Sequence, residues 1–205
     1  MVVVIFDRAQ GKKLIRDRRR QGIDRHDEVW DGVYVMSPIA NNEHQFVTGK
    51  LTTALDGALA EVVGALVFPG CNVSDQPDNW EKNYRVPDVA VFLPGNQAQD
   101  KGTHWLGGPD FAVEILSRHD RSRKKFGFYA SVGVRELLLV NRKPWTLELY
   151  RLTDGELRLV GKITQDSQNS LASEVLPVSF RLIAGDKARP SIEVVHTQNA
   201  RRWLA

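Results

Sequence analysis

Two acids on apolar runs, and a lysine shortly after them, are the residues whose chemistry asks for an explanation. Glu114 interrupts the run Phe111-Ala112-Val113-Glu114-Ile115-Leu116. Period-two alternation puts Phe111, Val113 and Ile115 on one face of this strand and Ala112, Glu114 and Leu116 on the other. A carboxylate buried on a strand loses much of its hydration unless a cation, a proton or donors compensate. Asp88 stands near the start of a second such run, Val86 to Leu93, where Pro87 restricts it to an early or edge position in the ladder. Taken singly, a strand-end glutamate paired with an arginine and an aspartate capping a turn account for these two. Taken together, two inward acids on adjacent strands repel, and a hard divalent cation with oxygen ligands resolves that repulsion.

Lys125 follows Glu114 by eleven residues and precedes Tyr129 by four, so it shares one helix face with Tyr129. Acids holding a metal, with a lysine beside them, make a site for phosphodiester hydrolysis. The metal polarises a phosphate oxygen and acidifies a water, and the lysine offsets charge in the transition state. An exposed basic helix face is the competing reading of Lys124 and Lys125.

The elements that must position these residues can be traced along the chain. Residues 8–25 are polar and basic and read as a helix or a flexible arm. Asp31-Gly32 between Val29-Trp30 and Val33–Met36 marks a hairpin. Asn41 or Asn42 caps a helix expected over about 42–64, where Phe46, Leu51, Leu55 and Leu59 recur at helical spacing. Strands are expected at 66–68, 86–93, 111–116, 136–140, 146–152, 157–163, 175–182 and 192–195. A helix over about 120–132 is closed by Gly133. This is an α+β arrangement around a central mixed sheet, with a basic arm at 1–26 and one domain over 27–205.

Composition narrows the function classes. No apolar run is long enough to span a bilayer, and the apolar start ends at Asp7, so neither a membrane span nor a secretion signal is expected. The single cysteine, Cys71, excludes an internal disulfide framework, and it is read as structural. A cytoplasmic location is the expectation. The five histidines lack metal-ligand spacing, so zinc is not expected. The net charge of +3 conceals a split: residues 8–25 carry a local +6, residues 118–125 a local +4, and the remainder −7. Arg18, Arg19 and Arg20 in the first segment, and Arg118, Arg121 and Arg123 in the second, are candidates for holding backbone phosphates.

The order Val86-Pro87-Asp88, then Glu114-Ile115-Leu116-Ser117, then Lys125, Tyr129, Gly133-Val134 and Glu136, resembles the Uma-type restriction endonuclease family. That family was once described only as a domain of unknown function and belongs to the PD-(D/E)XK nuclease superfamily. Glu28–Gly32, Met36-Ser37-Pro38 and Glu43-His44-Gln45 resemble its usual opening, so the likeness covers about residues 27–151. The resemblance implies a restriction-endonuclease-like core, a mixed sheet flanked by helices with the metal site at one end. It implies Asp88 and Glu114 as metal-holding acids, with the backbone carbonyl of Ile115 as a further ligand, and Mg²⁺ (or Mn²⁺ in its place) as the cofactor. The sequence departs from the superfamily pattern at Leu116, where a lysine is expected. In this family a lysine from the following helix is thought to fill that role, which points to Lys125, with Lys124 as the runner-up. Glu28 is a candidate extra acid, and His44 matches a family position beside the site.

The function implied is a metal-dependent endonuclease acting on double-stranded DNA, and cutting both strands would suit a homodimer. Two rivals remain open at this point. One is an inactive nucleic-acid-binding protein of the same fold, which Leu116 makes credible; the other is a small interaction module whose acids are merely salt-bridged.

Overall fold

Val47, Leu51, Ala54, Leu55 and Ala58 fall on one side of a helix, and in the computed structural model that side is buried, while Phe46 stays exposed. The structure describes residues 8–117, 121–185 and 189–205. In chain order the elements are α1 (Arg8–Gln21), β1 (Glu28–Trp30), β2 (Val33–Val35), α2 (Asn42–Ala58), β3 (Leu66–Phe68), β4 (Val73–Ser74), β5 (Tyr84–Arg85), β6 (Val89–Phe92), β7 (Gln99–Asp100), β8 (Trp105–Leu106) and β9 (Phe111–Ile115). A short 3₁₀ turn, Ser122–Lys125, runs into α3 (Phe126–Ser131). Then come β10 (Glu136–Arg142), β11 (Trp145–Thr153), β12 (Glu156–Thr164), β13 (Leu171–Ala172), β14 (Val178–Ile183), β15 (Ser191–His196) and β16 (Arg202–Leu204).

The central sheet has the order β12-β11-β10-β9-β6-β3 and is mixed: β9 and β10 are parallel, and every other neighbour is antiparallel. A parallel pair needs a crossover, and here it is the segment containing the 3₁₀ turn and α3. One face of the sheet (Val89, Val91, Phe111, Val113, Ile115, Leu138, Val140) packs on Val47, Leu51 and Leu55 of α2 and on the antiparallel sheet β13-β14-β15-β16. The other face (Ala112, Leu137, Leu139) packs on Phe128 and Tyr129 of α3. Each such aliphatic or aromatic side chain contributes about 1.5–3 kcal/mol on burial. A second six-stranded sheet, β2-β1-β5-β4-β8-β7, carries the hairpin, whose turn places Asp31 and Gly32 at φ 48° and 83°.

Both faces of β9 are therefore buried, and Glu114 lies on the α3 face. No described helix is long and apolar enough to cross a membrane. Several boundaries differ from the sequence expectation, among them the helix expected over about 120–132, whose described part is the 3₁₀ turn Ser122–Lys125 followed by the short α3, Phe126–Ser131. The strand expected at 86–93 is β6, Val89–Phe92, because Pro87 has no N–H to give the ladder and Asp88 uses its side chain instead. Helix α2 stops at Ala58 rather than near 64. Its exit turns through Gly64 at φ 87° and leaves Val63 exposed, and the ring of Trp203 lies where a side chain on Gly57 would have to sit. The segment 8–25 is a helix over most of its length.

Candidate active site

The antiparallel register of β6 and β9 pairs Val89 with Val113, and continuing it by one step sets Asp88 opposite Glu114. The Asp88 carboxylate does not float there. Its Oδ2 accepts the N–H of Ile115 at 2.7 Å, and its Oδ1 lies 2.8 Å from His44 Nε2. His44 is presented by the first turn of α2, which Asn41 caps by accepting the His44 backbone N–H at 2.9 Å. The other ring nitrogen of His44 is buried without a partner among the described residues.

Glu114 is 3% exposed and sits among donors. Lys125 Nζ donates to its Oε1 at 2.8 Å and to its Oε2 at 3.1 Å, Ser122 Oγ donates to Oε2 at 3.0 Å, and the Tyr129 hydroxyl donates to Oε1. The same ammonium lies 2.8 Å from Glu28 Oε1. Glu28 in turn accepts the Val86 N–H at 2.8 Å and the Trp30 indole N–H at 2.6 Å. Glu28 thus ties the hairpin to the residue just before Pro87-Asp88, and Lys125 ties Glu28 to Glu114. Lys124, one residue earlier, is exposed.

The electrostatics follow from burial. Loss of water, reinforced by Asp88 and Glu28, pushes the Glu114 carboxyl up to about 7, although Lys125 pulls the other way. Burial works against the charge on Lys125, but Glu114 and Glu28 outweigh it and hold its pKa well above the usual lysine range. Burial, and then Glu114, raise Tyr129 well above an ordinary phenol, so it stays a donor. Arg85 is a second buried cation nearby, wedged between the rings of Trp30 (5.1 Å) and Phe128 (4.3 Å) and lowered by its burial.

Glu114 and Glu28 share the Lys125 ammonium, Asp88 stands next to Glu114 in the register, and the oxygen donors of such carboxylates suit a hard cation. Among the described residues no group of three or more His, Cys, Asp or Glu side chains is arranged to hold a metal. A Mg²⁺ site here would draw on two carboxylates, a backbone carbonyl and water, the sparse protein ligation that Mg²⁺ commonly accepts.

Several expected site residues take other places. Arg18 is turned inward, donating to Asp27, Ile23 O and Ser37 O, so it is a structural tie rather than a phosphate ligand. Arg19 and Arg20 are exposed. Arg123 is half-exposed and engages Glu148, while Arg121 opens the 3₁₀ turn. Arg118 lies outside the described residues. Three contributors were not among the expected site residues: Ser122, Tyr129 and Arg142. The Lys125–Tyr129 spacing was a visible signal for Tyr129. No sequence signal marked Arg142, which donates to Asn41 Oδ1, to Glu43 Oε2 (both at 2.9 Å) and to the Leu116 carbonyl, fastening α2 to the end of β9.

A family model described as "Uma2: Putative restriction endonuclease" matches residues 17–184. Among solved structures, the chain is similar to "a putative nuclease belonging to DUF820 from Anabaena variabilis ATCC 29413", with a TM-score of 0.56 and 17% sequence identity, over 72% of this chain and 80% of that chain. At that identity the likeness shows the fold, a mixed α+β fold shared with that protein. None of the curated proteins compared with the chain matches it.

Proposed function

The chain belongs to the Uma2 family, and from that premise we propose that it is a metal-dependent endonuclease hydrolysing phosphodiester bonds of double-stranded DNA. The observation that carries the reading is Lys125 Nζ, 2.8 Å from both Glu114 and Glu28, where a strand lysine is missing at Leu116. Asp88, Glu114 and the Ile115 carbonyl would hold Mg²⁺, or Mn²⁺ in its place, which when bound supplies charge neutralisation at the phosphate and an acidified water. Lys125, fully charged at neutral pH, sets a positive group beside the carboxylates, where it offsets charge accumulating on phosphate oxygens. Ser122 and Tyr129 hold the Glu114 carboxylate in one orientation. His44 and the Ile115 N–H do the same for Asp88 at its two oxygens. Such fixed donors keep reorganisation small when the substrate arrives.

The test is cleavage of supercoiled plasmid in Mg²⁺ or Mn²⁺ by the wild type and by Asp88→Asn, Glu114→Gln and Lys125→Met. Nicking by the wild type and its loss by at least a hundredfold in each variant is expected. Equal activity of wild type and Glu114→Gln overturns the site. DNA binding without cleavage under any divalent cation overturns the enzyme.

A further inference from the structure

Among the described contacts of the Lys125 cluster none comes from helix α1, yet the chain is built to hold this helix in one place. Gly22 ends it at φ 66°, in the left-handed region that favours glycine. The Gly22 N–H donates to Arg19 O at 3.0 Å and the Ile23 N–H to Arg18 O at 3.2 Å, the paired closure that satisfies a helix's last carbonyls. The Arg18 side chain, 15% exposed, donates to both oxygens of Asp27 at 2.6 Å and to Ile23 O and Ser37 O at 2.9 Å. Asp27 is completed by the Tyr34 hydroxyl and the Ser37 N–H. The next residue is Glu28, so the anchor of α1 lies one position from the candidate active site.

With Arg18 turned inward, the basic side chains left outward have an order. Lys12, Arg16 and Arg19 are exposed and stand at i, i+4 and i+7, on one helix face. With Ile15 they line an open groove of about 350 Å³. Among the described residues Lys12 and Arg16 make no ion pair, and Arg19 only a long one to Asp24 at 3.9 Å. From Lys12 to Arg19 the helix rises about 10 Å, the length of roughly three nucleotide steps along one strand of duplex DNA. Apart from Ala9, the only apolar residues of α1 are Leu14 and Ile15, too few to bury a face in a lipid surface.

We propose that Lys12, Arg16 and Arg19 form a stripe that binds the phosphate backbone of a nucleic acid, held at a fixed place relative to Glu28 by the Arg18–Asp27 tie. It rests on reading the neighbouring site as acting on nucleic acid. It goes beyond that reading in assigning the surface to residues that lie mostly ahead of residue 17, where the family match begins. Such contacts give affinity without sequence choice.

Binding of the full chain to a labelled duplex in EDTA, titrated with salt, separates the cases without needing catalysis. Each phosphate contact contributes about 0.9 to the slope of log K against log salt, so a Lys12→Ala, Arg16→Ala, Arg19→Ala variant is expected to flatten the slope by about 2 to 3. A variant with the same charge removed elsewhere, Lys82→Ala, Lys101→Ala, Arg158→Ala, is expected to change it by less than about 1. An unchanged slope in the first variant, or equal flattening in both, overturns the stripe. Binding to phosphatidylserine vesicles that the first variant loses while its DNA slope stays intact also overturns it, in favour of a membrane. A wild type that binds with the expected slope but cleaves nothing refutes the proposed function and leaves the stripe standing.

Discussion

Replacing Lys125 by methionine removes the one ammonium that Glu28 and Glu114 share, at little change in volume. Both carboxylates are 3% exposed, and each has an oxygen 2.8 Å from the nitrogen that is lost. Removing one partner of a buried ion pair costs about 3–5 kcal/mol. Two pairs are broken here, but Glu114 keeps Tyr129 and Ser122, and Glu28 keeps Val86 and Trp30, so about 4 kcal/mol is expected at pH 8. The pH dependence has a definite sign. Lys125 stays charged throughout pH 5 to 8, so the group of its cluster whose titration matters in that window is Glu114. Burial already holds Glu114 up to about 7 with Lys125 present, and higher without it. A carboxyl raised in the folded state costs nothing below its ordinary value and destabilises as pH rises through the folded one. The deficit of Lys125→Met is therefore expected to be larger at pH 8 than at pH 5, where protonation relieves Glu114. Urea unfolding in EDTA, followed by tryptophan fluorescence at pH 5, 6.5 and 8, measures it. A variant as stable as the wild type at pH 8, or a deficit of equal size at pH 5, would refute the shared-ammonium geometry.

Further expectations concern the supports of the site. Arg142→Ala takes the donor from the Leu116 carbonyl and from Glu43, leaves Asn41 with the His44 N–H alone, and is expected to cost about 2–3 kcal/mol; an unchanged urea midpoint would show that α2 is not fastened there. Leu116 shares the face of Glu114, so Leu116→Lys in the Lys125→Met background is expected to recover part of the plasmid nicking. Cleavage no better than Lys125→Met alone would mean that a side chain at 116 does not reach the carboxylates. Burial pushes the Cys71 thiol up to about 12. It is expected to react slowly with a thiol reagent at pH 8 in the folded protein and quickly in urea, and rapid native labelling would contradict its burial.

The elements readable from sequence were those written in local chemistry. Asp31-Gly32 specifies its turn, Asn41 its cap and Gly133 its helix end, and the apolar runs of β6, β9 and β10 specify the sheet. The two-residue strands β4, β5, β7, β8 and β13 were not legible, because two residues carry no period, and β16 was not read either. The site was legible in the order of its acids and lysine. Its geometry was not, since Glu28 meets Lys125 from 97 positions away along the chain. Alternation on β9 could separate its two faces but not say that both are buried. Arg18 shows the same limit from the other side: within a run of arginines nothing local distinguishes the one that turns inward to Asp27.

The position of Lys125 makes sense of the departure at Leu116. What the carboxylates require is a cation within hydrogen-bond reach, and nothing in that requirement fixes which element supplies it. A lysine following β9 would have to share its face with α3, where Leu116 instead adds partly buried apolar surface to the cluster that holds Phe128, Tyr129 and Leu139. Moving the cation to the 3₁₀ turn ahead of α3 lets the β9 face stay apolar and brings Tyr129, four residues on, to the same carboxylate. The arrangement has a consequence for Glu28. A lysine approaching from α3 can bridge Glu114 to the hairpin, so the N-terminal part of the chain becomes part of the site. The Arg18–Asp27 tie, one residue before Glu28, then bears on the carboxylate cluster as well as on α1.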